Sequence, residues 1–140
     1  MRIARGAFAV LMLAIAIGAC GKSAADKAQS TVCSARSDIS KQVTQLKSLT
    51  PATVTKDAVT QPLNAIKSDL KDISGAQGDL SSDRRSQVEA ANQAFTTSVK
   101  SITSQLLTSV SAADAKAGIV TALQQLATSY QQTFASLDCG

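Results

Sequence analysis

The chain has 140 residues, and its 14 basic and 10 acidic side chains give a formal charge of +4 at neutral pH. The basic residues are dispersed, with Arg84-Arg85 as the one adjacent pair, which argues against a surface that follows nucleic-acid phosphates. Histidine is absent and Glu89 is the only glutamate, so the usual general base and metal ligand and most carboxylate pairs are missing. The composition therefore predicts a non-enzymatic protein without a cofactor, a metal or a nucleic-acid partner.

The first twenty residues have the pattern of an export signal. Arg2 and Arg5 precede an apolar stretch that runs from Phe8 to Ile17. This stretch is too short to cross a hydrocarbon core of about 30 Å as a helix. A short apolar run that follows basic residues and ends in small residues is typical of a cleaved signal peptide. We therefore expect the chain to be exported.

The end of this stretch, Ile17-Gly18-Ala19-Cys20, resembles the lipobox of bacterial lipoproteins. The resemblance implies that the Cys20 thiol receives a diacylglycerol, that acyl chains such as palmitate anchor the protein to a membrane, and that the signal peptide 1–19 is removed. Residues 20–23 are then the lipidated cysteine with a short tether, and residues 24–140 are the folded domain. The alternatives are an ordinary signal peptide with a coincidental cysteine, and an uncleaved anchor helix.

The lipobox resemblance also implies a location in the bacterial cell envelope, on the extracytoplasmic side. Gly21 is not the aspartate that resembles an inner-membrane retention signal. The expected location is therefore the outer membrane of a Gram-negative organism, or the plasma membrane of a Gram-positive one. Without Arg2 and Arg5 the chain keeps 12 basic and 10 acidic residues, a formal charge of +2, in a length suited to one domain.

If Cys20 carries lipid, Cys33 and Cys139 are the two cysteines that remain. In an oxidising compartment a disulfide is the default state of such a pair. The two residues are 106 positions apart, so the bond would stabilise the fold by about 4 to 5 kcal/mol in the chain-entropy treatment. Two free thiols or a metal-binding pair are the alternatives, and a metal site would need scattered carboxylates because histidine is absent.

From Ala24 onward the apolar residues recur at helical spacing, and strand-like alternation is almost absent. The first helix is predicted to run from Ala24 to Leu49. Thr50-Pro51 ends it because the residue before a proline is pushed out of the α region. The predicted fold class is therefore all-α.

Pro62 leaves two starts open for the second predicted helix. The helix begins either near Thr60, with Pro62 in its first turn, or from about Thr53, with a kink at Pro62. The glycine-containing turn at residues 74–78 is expected to end it.

Two further helices complete the domain. Residues 81–83 offer N-caps for a third helix of about 28 residues, and Ser111 to Asp114 have capping-box spacing at the start of a fourth. The predicted buried stripes of the four helices consist of Val32, Ala35, Ile39, Val43 and Leu46; Val59, Leu63, Ile66, Leu70 and Ile73; Val88, Ala91, Phe95, Val99, Ile102, Leu106 and Val110; and Ile119, Leu123, Leu126, Tyr130, Phe134 and Leu137.

The connections between these helices are short, which favours an antiparallel up-down-up-down four-helix bundle with one disulfide. In that arrangement the end of the fourth helix lies beside the start of the first. Cys139 and Cys33 would then meet, and the bond would hold the carboxyl-terminal tail against the flank of the bundle.

The functional hypothesis from sequence is a membrane-anchored extracytoplasmic lipoprotein that acts as a non-enzymatic structural or partner-binding helical module. Its expected partners are the membrane, through the lipid anchor, and an envelope protein. The alternative is a carrier or sensor domain that binds an apolar small molecule between its helices. In that case the pocket would be lined by the aromatic residues of the mature chain, which are Phe95, Tyr130 and Phe134.

Overall fold

The computed structural model describes residues 21–109 and 113–139, and within these ranges the chain forms four α-helices and no strand. Helix α1 runs over Ala24–Lys47, α2 over Lys56–Ala76, α3 over Ser82–Ser109 and α4 over Ala113–Thr133, and a single 3-10 turn, Gln77–Asp79, lies between α2 and α3. The prediction of an all-α bundle is confirmed. The predicted length of the third helix also agrees with the 28 residues of α3.

Helix α1 begins at the predicted residue, Ala24, because Ser23 and Asp26 form a capping box. The Ser23 hydroxyl oxygen accepts a 3.1 Å hydrogen bond from the Asp26 amide, and the Asp26 carboxylate accepts one of 3.2 Å from the Ser23 amide. These bonds satisfy amide groups that have no partner within a helix. The hydroxyl also donates to the carboxylate, and this bond lowers the pKa of Asp26 below its usual value.

Helix α2 begins at Lys56, between the two predicted starts at about Thr53 and near Thr60. Its N-cap is Thr55, whose hydroxyl oxygen accepts a 3.1 Å bond from the Ala58 amide. Pro62 therefore lies inside the helix, where it is buried and where its ring nitrogen cannot donate to the preceding turn. The start near Thr60 is wrong: the Thr55 cap and the burial of Val59, Pro62 and Leu63 in the core favour the longer helix.

The turn predicted at residues 74–78 begins later than expected. Helix α2 continues through Gly75 to Ala76 before the 3-10 turn starts. A glycine inside a helix costs only about 1 kcal/mol relative to alanine, so the contacts of the surrounding turn decide where the helix ends. Those contacts come from Arg85, whose guanidinium group donates to the carbonyls of Gln77, Gly78 and Leu80.

The predicted stripes form one continuous core. Every predicted stripe residue within 21–106 and 116–139 is buried except Leu137, which is partly buried against the core. Val110 lies outside the described residues. Val54 and Leu80, which belong to the two connections, are also buried and close the ends of the core. Among the described residues, the buried core extends from Ala28 to Phe134.

Side-chain hydrogen bonds also join neighbouring helices. Asn92, in the first half of α3, donates to the Ser74 hydroxyl near the end of α2, as expected when these two helices run in opposite directions. The hydroxyls of Ser98, near the middle of α3, and Ser129, late in α4, lie 3.1 Å apart. The up-down-up-down order itself stays a prediction.

Candidate functional site

The carboxyl-terminal tail is bound to the start of the bundle by a disulfide. Cys33 of α1 and Cys139 are bonded with an S–S distance of 2.16 Å and a Cα–Cα distance of 5.6 Å. The predicted pairing is confirmed. Both cysteines are partly exposed, so the bond lies on the flank of the bundle, as expected from the position of Cys33 one residue from the buried Val32.

Arg36 holds the same tail without a covalent bond. Its guanidinium group donates to the carbonyl of Leu137 at 2.6 Å and to that of Ala135 at 3.4 Å. The Arg36 carbonyl in turn accepts a 3.2 Å bond from the hydroxyl of Tyr130 in α4. One residue of α1 therefore fixes both the end of α4 and the tail that follows it.

Two arginines at the start of α3 complete this end of the bundle. Arg84 donates a 2.6 Å bond to the carbonyl of Asp138 and lies 3.8 Å from its carboxylate, while Arg85 binds the carbonyls of the 3-10 turn. Arg36, Arg84 and Arg85 are the arginines after residue 20, and each donates to backbone carbonyls. Sequence reasoning treated Arg84-Arg85 only as a basic pair. The position of these two arginines shortly after a glycine-containing turn is the feature of the sequence that indicates binding to the carbonyls of that turn.

The three aromatic residues predicted to line a pocket contact one another in the core. The ring of Phe95 lies edge-on to those of Tyr130 and Phe134, with centroids 5.9 and 5.5 Å away, and the Tyr130 and Phe134 rings are 6.3 Å apart. Phe95 and Phe134 are fully buried. Edge-to-face pairs at these distances stabilise a packed core. A ligand among the three rings would have to separate them.

A shallow groove of about 310 Å³ lies between α2 and α3, and neither cysteine of the disulfide lines it. We call it the lysine groove, because three of its seven lining residues are lysines. Its lining residues are Lys67, Leu70, Lys71 and Ser74 of α2 and Thr96, Val99 and Lys100 of α3. The sequence analysis did not identify it, because it depends on which faces of two helices meet.

Asn92 is a buried polar residue next to one end of the lysine groove. Its amide nitrogen donates to the Ser74 hydroxyl at 2.7 Å and to the Leu70 carbonyl at 3.4 Å, and both acceptor residues line the groove. Its carboxamide oxygen has no hydrogen-bond partner within the described part of the chain. Burying an unpaired carbonyl oxygen costs free energy.

A second and larger groove, of about 770 Å³, runs beside the disulfide. It is open, and its lining includes Lys22, Asp26, Gln29, Cys33 and Cys139. One wall is formed by α1 from Asp26 to Ser37, which is more than three turns, and Lys22 lies where the described chain begins.

The predicted lipidation site, Cys20, lies outside the described residues, as does the signal segment that precedes it. Among the helices that the structure describes, none combines the length and the apolar character needed to span a membrane. In the same part of the chain, cysteine and carboxylate side chains form no cluster of three that could hold a metal ion.

Comparison with known proteins identifies no relative of this chain. No protein-family model, curated protein or solved structure matches the chain.

Proposed function

We propose that this chain is a lipid-anchored protein of the bacterial cell envelope, and that its helical domain is a non-enzymatic structural or partner-binding module. The observation that carries the proposal is the position of the first helix. Helix α1 begins at Ala24, and Ser23 is fixed by its capping box, so only Gly21 and Lys22 separate the cap from Cys20. The resemblance of residues 17–20 to a lipobox supplies the anchor.

A short tether would limit the distance between the helical domain and the membrane. Three extended residues reach about 10 Å, so a bundle attached at Cys20 would stay close to the bilayer with one end facing it. The end with the disulfide and the 3-10 turn would face the membrane. The opposite end, with the Thr50-Pro51 turn, would face away and be accessible to an envelope partner.

The disulfide supports export. Cys33 and Cys139 are joined within one chain, and such bonds persist in oxidising compartments outside the cytoplasm. The bond and the contacts of Arg36 and Arg84 hold the tail against the bundle, which suits a structural or partner-binding domain. The alternative function, a carrier with an apolar ligand between its helices, would require room among Phe95, Tyr130 and Phe134, whose rings are in contact.

The anchor is tested by replacing Cys20 with alanine in the full-length chain. We expect Cys20→Ala to abolish labelling by a radioactive or clickable fatty acid and to release the protein from membranes after processing. The matched control is the double variant Cys33→Ala/Cys139→Ala, which also loses cysteines but should keep both lipid and membrane. Membrane retention of the Cys20→Ala protein with its leader still attached would instead indicate an uncleaved anchor helix.

The partner-binding role is tested by photo-crosslinking in native membranes. A crosslinking residue at Thr50, on the outward end, should capture the same identified envelope protein in repeated experiments, whereas one at Ser81, on the end near the membrane, should not. The reciprocal experiment, starting from the captured protein, should recover this chain. Failure to capture a reproducible partner at Thr50 would contradict the partner-binding role.

A further inference from the structure

The lysine groove is built from regularly spaced residues on two helices. On α2 the lining residues Lys67, Leu70, Lys71 and Ser74 follow the i, i+3, i+4, i+7 spacing of a single helix face. At a rise of 1.5 Å per residue, this face is about 10 Å long. The groove is thus long and narrow, and its volume of about 310 Å³ is at the lower end of the range of small-molecule sites.

The charges around the lysine groove are of one sign. Lys67, Lys71 and Lys100 line it, and no carboxylate does. Within the described residues none of the three ammonium groups forms an ion pair, whereas Lys41 is paired with Asp38 at 2.8 Å. Three cations around one concave surface attract an anionic group.

The surface between the lysines is apolar. Leu70 and Val99 lie beneath the groove and are only 5% and 1% exposed, so the methylene stems of the three lysines supply most of the apolar surface that a ligand can contact, while their ammonium groups stay in water. Ser74 and Thr96 are the only other lining residues. An apolar strip edged by cations is complementary to a molecule that has an anionic head and an apolar chain.

We propose that the lysine groove binds a single-chain anionic amphiphile, of which a fatty acid is the simplest example. The carboxylate lies among the ammonium groups of Lys67, Lys71 and Lys100, and the chain lies along the methylene stems of these lysines, above Leu70 and Val99, between α2 and α3. The site shares no lining residue with the aromatic cluster or the disulfide, and it does not require the lipid anchor at Cys20.

The test uses residues 21–140 with the disulfide formed, because this segment contains the whole described core. Decanoate, below the concentration at which it aggregates, is titrated into the isotope-labelled domain, and amide chemical shifts are followed by NMR. We expect saturable one-to-one binding, with the largest shifts at residues 67–74 of α2 and 96–100 of α3. Decanol, which has the same chain without the charge, should bind roughly tenfold more weakly.

The lysines are tested against a control with the same change in net charge. Lys67→Gln/Lys71→Gln/Lys100→Gln should weaken decanoate binding roughly tenfold, as expected from the loss of three exposed charge contacts. Lys27→Gln/Lys47→Gln/Lys56→Gln removes three exposed lysines elsewhere and should leave the affinity within about twofold. Equal weakening in both variants would mean general electrostatic attraction and would overturn the proposal.

A single substitution tests the groove without removing any lysine. Thr96→Glu places a carboxylate at the wall of the groove and should abolish decanoate binding, whereas Thr97→Glu, one residue round the same helix and exposed, should not. Circular dichroism and the intact disulfide confirm folding in each case. Equal affinity for decanol and decanoate would overturn the proposal. So would association with vesicles of phosphatidylglycerol without binding of monomeric decanoate, because it would indicate a membrane contact.

Discussion

The guanidinium group of Arg36 and the backbone carbonyl of Leu137 are joined by a 2.6 Å hydrogen bond between residues 101 positions apart in the chain. Cys33, one helical turn before Arg36, is bonded to Cys139, two residues after Leu137. The carboxyl-terminal tail is therefore held to α1 twice, once by a covalent bond and once by a charge-assisted hydrogen bond. The two links can be removed separately, which makes their contributions measurable.

Removing the disulfide should destabilise the domain without changing its fold. In Cys33→Ala/Cys139→Ala the unfolded chain regains the freedom of a loop of 106 residues, which corresponds to a loss of about 4 kcal/mol. With a urea m-value of about 2 kcal/mol/M, the unfolding midpoint should fall by about 2 M. Unchanged stability would contradict the chain-entropy account, because the Arg36 and Arg84 contacts act in the native state and do not restrict the unfolded chain.

Replacing Arg36 with methionine should cost about 2 kcal/mol in the free energy of unfolding. The variant keeps the length of the side chain but leaves the carbonyls of Ala135 and Leu137 without their charged donor. Urea unfolding of the disulfide-bonded domain measures the change. The matched control is Lys41→Met, which removes an exposed cation paired only with Asp38 and should have almost no effect. A similar cost in both variants would contradict the structural role of Arg36.

Asp69 should oppose folding at neutral pH. Its pKa is raised above 3.8, first by partial burial and then by repulsion from Asp38 and Asp72. A raised pKa in the folded state means that the protonated form is favoured there, so this group stabilises the fold at low pH and that contribution is lost as the pH rises above 3.8. Asp69→Asn should therefore stabilise the domain at pH 7, by a few tenths of a kcal/mol, and have little effect at pH 3.

Thermal unfolding at pH 7 and pH 3 measures this difference. Asp38→Asn is the companion variant, because it removes one of the two like charges and should reduce the benefit of Asp69→Asn at pH 7. A benefit that is equal at both pH values would have to come from packing or helix propensity, and it would contradict the electrostatic origin.

The proposed lipid anchor at Cys20, joined to α1 by a short tether, predicts which end of the bundle is nearer to the membrane. A nitroxide attached at Ser81 should be relaxed more strongly by a bilayer-bound paramagnet than one attached at Thr50. Ser81 precedes Arg84, which binds the tail at Asp138, so it lies at the disulfide end. Both residues are exposed and tolerate a label. Equal depths, or the reverse order, would mean that the tether is flexible over more residues or that the helices are not arranged up-down-up-down.

The helices and the core could be predicted from the sequence because both depend on local periodicity. The spacing of Val32, Ile39 and Leu46 defines one face of α1 whatever the rest of the chain does, and those residues are buried. The disulfide was also predictable, since only two cysteines follow residue 20 and short connections bring the two ends of the domain together. The start of α2 at Lys56 was less predictable, because it combines the Thr55 cap with the burial of Val59 and Pro62 in the core.

The lysine groove and the arginine contacts could be decided only by the tertiary structure. Lys71 and Lys100 meet because α2 and α3 pack with a particular rotation and offset, which the periodicity of either helix leaves open. Arg36 reaches Leu137 across 101 residues for the same reason. Hydrophobic spacing determines which face of a helix is buried, because burial depends on the composition of that face. It does not determine which polar side chains become neighbours, because that depends on how separate helices fit together in the packed core.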